Sequence, residues 1–326
     1  MRILVTGGTG QIGSGVARTL VRRGDLVRCL VRDPERLGNL KGLSGVELAP
    51  GDVTNPDSLR AAMKDIDAVI HAAGIVSYEK SLSVQMRQVN VTGTKNMLDA
   101  AAEAGVQRFV LTGSIAGLGW LPGKDVGDED TPWNWSSEVD DYLQTKLDSQ
   151  QLVLSDTRLE TMVVMPGIVL GEGDLAGNGV RLLLQLWHGR VPISPPGATT
   201  ATTLTDAISG HLLALEHGTP GQAYIISSWN GSFHELYSRI SAELGCQPPR
   251  IVLPAWALRV FSFQRDWTDW LLGRPASLPP ALTRIIIRNR RYSNQKAIND
   301  LGYAPHPLEE GIQSCWRWAQ ETGRVQ

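Results

Sequence analysis

The chain has 326 residues, a hydrophobic fraction of 42% and a formal net charge of −2. This length is enough to bury a sizeable core in one large domain or two unequal ones. The near-neutral charge gives no indication that a nucleic acid or an anionic membrane surface is a partner.

The three cysteines, Cys29, Cys246 and Cys315, are far apart in the sequence and match no metal-site spacing. We expect reduced thiols in a cytoplasmic protein, and no bound metal. No charged segment leads into an apolar signal core, and no apolar run reaches the roughly 18 residues of a spanning helix. Neither a secretory signal nor a membrane span is therefore predicted.

The start of the chain has the strongest local pattern. Residues 3–5 form a short apolar run typical of a buried parallel strand, and a helical segment covers about residues 12–23. Between them lie Gly7, Gly10 and Gly13. In such an arrangement the helix N-terminus presents backbone N–H groups to a pyrophosphate. The Gly-x-x-Gly-x-x-Gly spacing differs from the usual Gly-x-Gly-x-x-Gly, but its place between strand and helix favours dinucleotide binding over a plain turn.

Strands and helices alternate through the first half of the chain. Further strands are predicted at 26–31, 46–48, 68–72, 109–111 and 161–165, with helices at 56–64, 83–105 and 142–155. This alternation predicts an α/β fold in which helices cover both faces of a doubly wound parallel sheet.

The composition changes after Gly167, where Gly and Pro become dense. Helices are predicted at 180–187, 204–216, 233–244 and 308–321, and a strand at 223–227. We therefore predict a dinucleotide-binding domain of residues 1–166, to which 203–228 return. Residues 167–202 and 229–326 would form a smaller C-terminal substrate-binding region.

The second predicted strand ends in Val31-Arg32-Asp33, at the place that meets the adenosine ribose of a dinucleotide. An acidic residue there favours a free 2′-hydroxyl, whereas an Arg can form charge-assisted hydrogen bonds to a 2′-phosphate. Because Arg32 precedes Asp33, we predict NADP as the preferred cofactor, with NAD as the alternative. An ordinary surface Arg in a turn is the other interpretation, which a single residue leaves open.

Two later strand ends carry further candidates. Asp52 follows the third strand, and its carboxylate can accept the adenine amino group; capping a helix is the alternative, although Asn55 is better placed for that. Residues 72–74 are small enough to let a ring and a ribose lie against the backbone. His71, just before them, is interpreted as a packed strand histidine rather than a base.

Tyr142 and Lys146 are spaced to share one face of a helix. An ammonium beside a phenol stabilises the phenolate and lowers the phenol pKa from about 10. Tyr142 could then exchange a proton with a carbonyl or alcohol near neutral pH. Ser114 ends the fifth predicted strand, where open α/β sheets bind ligands, and could hydrogen-bond the same substrate oxygen. Together the three residues predict a hydride-transfer site.

These motifs together resemble the extended branch of the short-chain dehydrogenase/reductase superfamily. The resemblance rests on Thr6-Gly-Gly-Thr-Gly-Gln-Ile-Gly13, Gly51-Asp52, His71-Ala-Ala-Gly74, Val89-Asn90 to Asn96, Thr112-Gly-Ser114, Tyr142-x-x-x-Lys146 and Pro166-Gly167. Within the branch, the chain is most similar to dihydroflavonol-4-reductase-like and NAD-dependent epimerase/dehydratase proteins. The resemblance implies a Rossmann-type fold over nearly the whole chain.

The resemblance also implies residue roles. Tyr142 would be the proton donor or acceptor, Lys146 would lower its pKa and bind ribose, and Ser114 would polarise the substrate oxygen. The implied cofactor-binding residues are Thr6, Gly7, Gly10, Gln11, Ile12, Gly13, Arg32, Asp52, Val53, Ala72, Ala73, Gly74, Asn90, Thr112, Tyr142, Lys146, Pro166 and Gly167.

The sequence departs from the family at Gly113, where a Ser often precedes the catalytic Ser. Thr112 could then share the hydroxyl role with Ser114. Ile115-Ala116 stands where a sugar-nucleotide 4,6-dehydratase would have an acidic pair, which argues against that chemistry.

The substrate is expected to lie between the sheet and segments 118–135, 167–186 and 254–272. Their aromatic residues, Trp120, Trp133, Trp135, Trp256, Phe261, Phe263, Trp267 and Trp270, indicate either a hydrophobic or ring-bearing substrate or a small-domain core. Segment 256–272 could also lie on a membrane as an amphipathic face, but its polar face has few Lys or Arg.

We expect an NADP-dependent oxidoreductase that acts on a carbonyl or a secondary alcohol. The alternatives are a nucleotide-sugar epimerase with tightly bound NAD and a non-catalytic NADP-binding regulator. The family also implies a homodimer through the helices predicted at 83–105 and 142–155.

Overall fold

The computed structural model describes residues 1–135, 141–271 and 280–325, without the side chains of 265–271, 280 and 281. Its strands are β1 (Arg2–Thr6), β2 (Leu26–Val31), β3 (Val46–Pro50), β4 (Ala68–His71), β5 (Arg108–Thr112), β6 (Glu160–Pro166), β7 (Ile168–Leu170), β8 (Ile193–Ser194), β9 (Ala198–Thr203), β10 (Gln222–Ile226), β11 (Trp229–Ser232) and β12 (Ile251–Val252).

The α-helices between and after these strands are α1 (Gln11–Arg22), α2 (Pro56–Ala62), α3 (Ser83–Arg87), α4 (Gly93–Glu103), α5 (Asp141–Ser155), α6 (Asn178–Trp187), α7 (Leu204–His217), α8 (Phe233–Leu244), α9 (Ala255–Leu271), α10 (Pro280–Ile286), α11 (Gln295–Leu301) and α12 (Leu308–Glu321). A π-helical turn, Gln88–Thr92, joins α3 to α4. The helix predicted at 83–105 is thus three consecutive pieces.

A seven-stranded sheet forms the centre of the protein, with the order β10-β6-β5-β4-β1-β2-β3 and every pair parallel. The central strands are apolar throughout because both faces of the sheet are covered. The chain leaves β1 in one direction towards β2 and returns on the other side at β4. The carboxyl ends of these two strands therefore border the crevice in which open α/β sheets bind ligands.

Helices cover each face of this sheet. On one face, α1, α7 and α11 pack Leu20, Leu215 and Leu301 against it. On the other face, α2, α4 and α5 contribute Leu59, Met97 and Val153. The predicted doubly wound α/β sheet of the Rossmann type is therefore confirmed.

A smaller layer lies beyond β6. It contains a three-stranded sheet in the order β11-β9-β7, packed on α6, α8 and α12. The sequence pattern did not predict β9, because four of its six residues are threonines. Their burial is possible because the hydroxyls are hydrogen-bonded; Thr202, for example, donates to the Ile226 carbonyl at 2.7 Å.

Residues 222–226 rejoin the main sheet as β10, which pairs with β6. No helix in the described ranges combines the length and apolar character that crossing a bilayer requires.

Candidate active site

The glycine turn after β1 is packed too tightly for side chains. Gly7 has a φ of +67°, and a Cβ on it would lie 2.5 Å from the Ala72 carbonyl. A Cβ on Gly13 would lie 2.3 Å from the Gly7 carbonyl oxygen. At Gly10, the N-cap of α1, no side chain caps the helix. The first backbone N–H groups of α1 are thus left to hold an anion, as a pyrophosphate site requires.

A chain of hydrogen bonds ties this turn to β4. The Ala73 N–H donates to Thr6 Oγ1 at 3.1 Å, and Thr6 Oγ1 lies 2.7 Å from His71 Nδ1. His71 Nε2 lies 3.2 Å from Thr94 Oγ1, which itself donates to the Asn90 carbonyl. Because Thr94 gives its proton to that carbonyl, Nε2 carries the His71 proton and Nδ1 accepts from Thr6.

His71 therefore has a structural role, since both of its ring nitrogens are hydrogen-bonded within the core. Burial, together with the charge of Lys146, lowers its pKa to about 3. The imidazole stays neutral and both nitrogens are occupied. The structure thus agrees with the interpretation of His71 as a packed strand histidine.

Gln11 and Ile12 open α1. The Gln11 side chain donates to the Gly171 and Glu172 carbonyls at 3.0 and 3.1 Å. It therefore links the glycine turn to the segment after β7, while its backbone N–H lies at the start of α1, where a cofactor phosphate would bind. Ile12 packs half-buried against the core under the sheet.

Arg32 lies exposed directly after β2 and forms no ion pair within the described ranges. Asp33, next to it, is paired with Arg36 at 3.4 Å and accepts the Glu35 N–H at 2.9 Å. The guanidinium rather than the neighbouring carboxylate is thus left for a ligand at this strand end.

Asp52 follows β3 and accepts the backbone N–H and the hydroxyl of Thr54, both at 2.8 Å. Val53 is buried, and its carbonyl accepts from Asn96 at 2.9 Å. Asn55, as expected, caps α2 by accepting the Asp57 N–H. The structure thus assigns the cap to Asn55, while Asp52 holds the loop beside it.

Asn90 lies in the π-helical turn and is buried. Its amide accepts the Ile75 N–H at 2.8 Å and donates to the Ile75 carbonyl and to Thr145 Oγ1. It therefore joins the segment after β4 to α5. π-helical turns are frequent at functional sites.

Lys146 brings α5 to the ends of β4 and β5. Its Nζ donates to the Thr112 carbonyl at 3.1 Å, and a Cβ on Gly74 would lie 3.8 Å from the same Nζ. The side chain is 9% exposed. Burial lowers the pKa of Lys146 to about 8.

Tyr142 lies one turn before Lys146 on α5 and is 7% exposed. Its ring meets the edge of Tyr78 at a centroid distance of 5.8 Å. Met86, Ala116 and Ile285 pack in the same cluster. The phenol thus lies in largely apolar surroundings beside the end of β5.

Ser114 begins the short turn after β5. Its Oγ accepts the Ala116 N–H at 3.1 Å, so its own proton is left for another acceptor. Its backbone N–H donates to Gln150 Oε1 at 2.8 Å. Gln150 lies one turn after Lys146 on α5, and we had not predicted it from the sequence. Its i+4 and i+8 spacing from Lys146 and Tyr142 was the available signal.

Gln150 also accounts for Gly113. A Cβ on Gly113 would lie 2.8 Å from Gln150 Oε1 and 2.6 Å from Val163 Cγ1. The amide of Gln150 therefore fills the space that a side chain at position 113 would take.

Thr112 presents its hydroxyl to His211, with Oγ1 2.7 Å from Nε2. His211 Nδ1 lies 2.6 Å from the Ala207 carbonyl, and burial lowers the His211 pKa to about 4. The neutral ring must carry its proton on Nδ1, so Thr112 donates to Nε2. The Thr112 hydroxyl proton is therefore bonded to His211 and is not available to a substrate.

Pro166 ends β6, and Gly167 follows it. The Gly167 N–H donates to Thr202 Oγ1 at 2.9 Å, and a Cβ there would lie 2.2 Å from the Thr200 carbonyl oxygen. Gly167 thus allows β9 to approach the main sheet closely.

Part of the predicted lining surrounds Tyr142. Trp133 and Trp135 are packed against the Tyr142 cluster. Arg290, 7% exposed, donates to the Ile115 carbonyl at 2.9 Å and was also not predicted. Trp120 instead stacks under Arg288 at 3.9 Å.

The aromatic residues of α9 do not fit either expectation. Trp256, Phe261 and Phe263 are 71%, 43% and 73% exposed, so they neither fill a core nor line a closed pocket. The side chains of Trp267 and Trp270, and residue 272, lie outside the described part.

The described ranges contain no group of three or more His, Cys, Asp or Glu side chains that could hold a metal. Cys29, Cys246 and Cys315 are free thiols.

The NAD(P)H-binding family model matches residues 7–185, which span the glycine turn, Ser114, Tyr142 and Lys146. The chain belongs to the NAD(P)H-binding family, in the extended branch of the short-chain dehydrogenases/reductases. The predicted family and the predicted NAD(P)-dependent oxidoreductase of this type are both confirmed.

Known proteins match this chain over most or all of their length. The chain is 32% identical to 3 beta-hydroxysteroid dehydrogenase/Delta 5-->4-isomerase of Mycobacterium tuberculosis, covering 96% of this chain and 89% of that one. It is 27% identical to sterol demethylase protein B of Methylococcus capsulatus, covering all of both chains. Among solved structures, gox2253 matches with a TM-score of 0.87 and 30% identity, over 99% of each chain.

Proposed function

We propose that this enzyme is an NADP-dependent oxidoreductase that interconverts a ketone and a secondary alcohol on a hydrophobic, ring-bearing molecule. The observation that carries the proposal is the placement of Tyr142 and Lys146 on α5, with Lys146 Nζ bonded to the Thr112 carbonyl two residues before Ser114. One helix and one strand end thus present a phenol, an ammonium and a hydroxyl at the carboxyl edge of the sheet.

The residues of the glycine turn and the following strand ends would hold the cofactor. The turn fits a pyrophosphate because its glycines leave no room for side chains and because α1 begins without a side-chain cap. The bound nicotinamide supplies or accepts the hydride.

The protein supplies the proton. The Tyr142 phenol would give its proton to the carbonyl oxygen during reduction, and take it back during oxidation. Ser114 would donate a hydrogen bond from its hydroxyl to the same oxygen, because among the described residues its Oγ acts only as an acceptor. Lys146 would stabilise the phenolate. Its ammonium N–H groups that are not bonded to the Thr112 carbonyl would hold a ribose hydroxyl.

Arg32 supports NADP over NAD. Its guanidinium is exposed at the end of β2, while the neighbouring Asp33 is already paired with Arg36. A 2′-phosphate would find a free cation there, whereas the free 2′-hydroxyl of NAD would gain less.

The surroundings of Tyr142 support an apolar substrate with rings. Tyr78, Trp133, Trp135 and Ile285 pack around it, and such walls hold flat apolar molecules by area rather than by charge. The two curated relatives are named for sterols and steroids. We infer a fused-ring alcohol or ketone of this general class.

Replacing Tyr142 by Phe tests the proposal. With a panel of steroid ketones and NADPH, we expect kcat to fall by roughly 10²–10⁴, the range of general acid catalysis, while NADPH binding followed by fluorescence stays unchanged. Full activity in the Phe variant would falsify the role of Tyr142. Substrate conversion without net use of NADPH would instead favour an epimerase.

A further inference from the structure

The outer face of α9 is apolar and open to solvent. Trp256, Val260 and Phe263 are spaced i, i+4 and i+7, so they share one side of the helix. They are 71%, 53% and 73% exposed. Ile251 and Val252, which form β12 just before the helix, are 56% and 47% exposed. We call Trp256, Val260 and Phe263 the α9 surface; Ile251 and Val252 lie in the strand just before it. Clusters of large exposed apolar side chains mark interaction sites.

The opposite side of α9 faces the protein. Leu258 and Ser262 are buried, and Thr283 of α10 donates to Ser262 Oγ at 2.8 Å. From α10, Ile285 reaches the cluster that contains Tyr142. The helix pair α9 and α10 thus connects the α9 surface to the surroundings of the catalytic phenol.

Positive charge flanks the α9 surface. Among the described residues of this region, Arg250 and Arg259 are exposed, whereas Arg290 is buried and donates to the Ile115 carbonyl. Arg250 precedes α9, Arg259 lies on it, and Arg288 follows α10. Arg288 is half-buried and stacks on Trp120 at 3.9 Å, so the exposed charge beside the α9 surface comes from Arg250 and Arg259. None of the three forms an ion pair within the described ranges.

We propose that the α9 surface docks on an anionic phospholipid bilayer. Trp and Phe side chains prefer the boundary between headgroups and acyl chains, and arginines bind the lipid phosphates. Arg250, exposed directly before β12, adds a cation that lies outside the helix itself.

A second copy of the chain fits this surface less well. A two-fold contact would place the same patch on both subunits, so the unpaired arginines would approach one another. An anionic lipid surface neutralises them instead.

Docking would place the helix pair over Tyr142 against the bilayer, where apolar ring compounds dissolve. This part of the inference, and only this part, rests on the proposed function. The protein would then take its substrate from the lipid phase rather than from water.

Co-sedimentation of the full chain with vesicles tests the docking. The vesicles are phosphatidylcholine alone or an equal mixture of phosphatidylcholine and phosphatidylglycerol. We expect the wild type to bind the mixed vesicles. Binding to vesicles of phosphatidylcholine alone should be weaker by about tenfold or more, and binding to the mixed vesicles should weaken by a similar factor in high salt. In the W256S/F263S variant, binding should fall by a similar factor, and R250Q/R259Q should lose most of the salt dependence. The L26S/L48S variant replaces exposed leucines elsewhere and should bind like the wild type.

Absence of wild-type binding to both vesicles, or equal binding by W256S/F263S, overturns the proposal. Sedimentation velocity without lipid tests whether a second copy of the chain binds this surface instead. A wild-type dimer that becomes a monomer in W256S/F263S would assign the surface to that second copy. Reduction of a water-soluble ketone should be equal in wild type and W256S/F263S. If neither protein reduces any ketone, the proposed function fails while the vesicle result still stands.

Discussion

The side-chain oxygen of Gln150 accepts the backbone N–H of Ser114 at 2.8 Å. This bond crosses from α5 to the end of β5, so one helix carries Tyr142, Lys146 and the group that holds Ser114. Gly113 and Gly117 make the bond possible, because a Cβ on either would lie within 2.8 Å of the Gln150 amide. The backbone of Ser114 is therefore held to the helix of the phenol by a residue that need not touch substrate.

Replacing Gln150 by Leu should lower both stability and activity. The substitution leaves the Ser114 N–H without its partner, which costs about 1–3 kcal/mol in a buried site. We expect kcat to fall about tenfold with little change in KM, as urea unfolding and steady-state assays would show. Gln144→Leu, on the same helix, is the control and should change kcat by less than about twofold. An unchanged kcat in a destabilised Gln150→Leu variant would show a purely structural role.

Ser114 and Thr112 can be separated by mutation. Ser114→Ala should lower kcat about 10²-fold or more, because it removes a donor to the reacting oxygen. Thr112→Val keeps the shape of the side chain and should leave kcat within about threefold, because the Thr112 proton is given to His211. Equal losses in the two variants would mean that both hydroxyls meet the substrate. Kinetics at saturating NADPH make the comparison.

The buried charge of Lys146 should lower the free energy of unfolding of the cofactor-free enzyme. Burial lowers its pKa from 10.5 to about 8, so the folded chain binds this proton less strongly than the unfolded chain does. The cost is fully present below pH 8 and disappears as the pH rises towards 10.5. Allowing for the lost hydrogen bond to Thr112, we expect Lys146→Met to be about 2 kcal/mol more stable at neutral pH and inactive.

Urea unfolding at neutral pH and near pH 10 measures this effect. The stability advantage of Lys146→Met should shrink at the higher pH, because Lys146 is then neutral in the folded wild type and its burial no longer costs stability. Lys95→Met is the control, since Lys95 is an exposed partner of Asp99 at 2.6 Å and should change stability by less than about 1 kcal/mol at either pH. An advantage that grows with pH would contradict the assignment.

Arg32 should decide cofactor preference. Arg32→Ala should raise the Kd for NADPH about tenfold to a hundredfold, the loss of a charge-assisted hydrogen bond, and leave NADH binding nearly unchanged. Arg60→Ala removes an exposed guanidinium of α2 that is paired with Asp57 at 2.8 Å and should affect neither cofactor. Fluorescence titration of each cofactor gives both values. A preference for NADH in the wild type that does not depend on Arg32 would overturn the NADP assignment.

The parts of the site that follow one another along the chain could be predicted. The glycine turn depends on local geometry: Gly7 needs its positive φ wherever the rest of the chain goes. Tyr142 and Lys146 share a face because four residues are about one helical turn. Strands of the main sheet were found because burial on both faces makes them continuously apolar.

Contacts between distant segments could not be predicted in this way. The threonine-rich strand β9 has no apolar pattern, and its burial depends on partners such as the Ile226 carbonyl. Whether Thr112 or Ser114 has a proton to donate depended on His211, 99 positions further along.

Local sequence thus determined the glycine turn, the phenol–lysine pair and the alternation that builds the sheet, because each depends on backbone geometry or on a single period. Tertiary structure alone decided that Gln150 holds Ser114, that Thr112 is committed to His211 and that the aromatic residues of α9 face solvent. These depend on which surfaces meet, and hydrogen bonds and burial between separate segments exist only once the chain has folded.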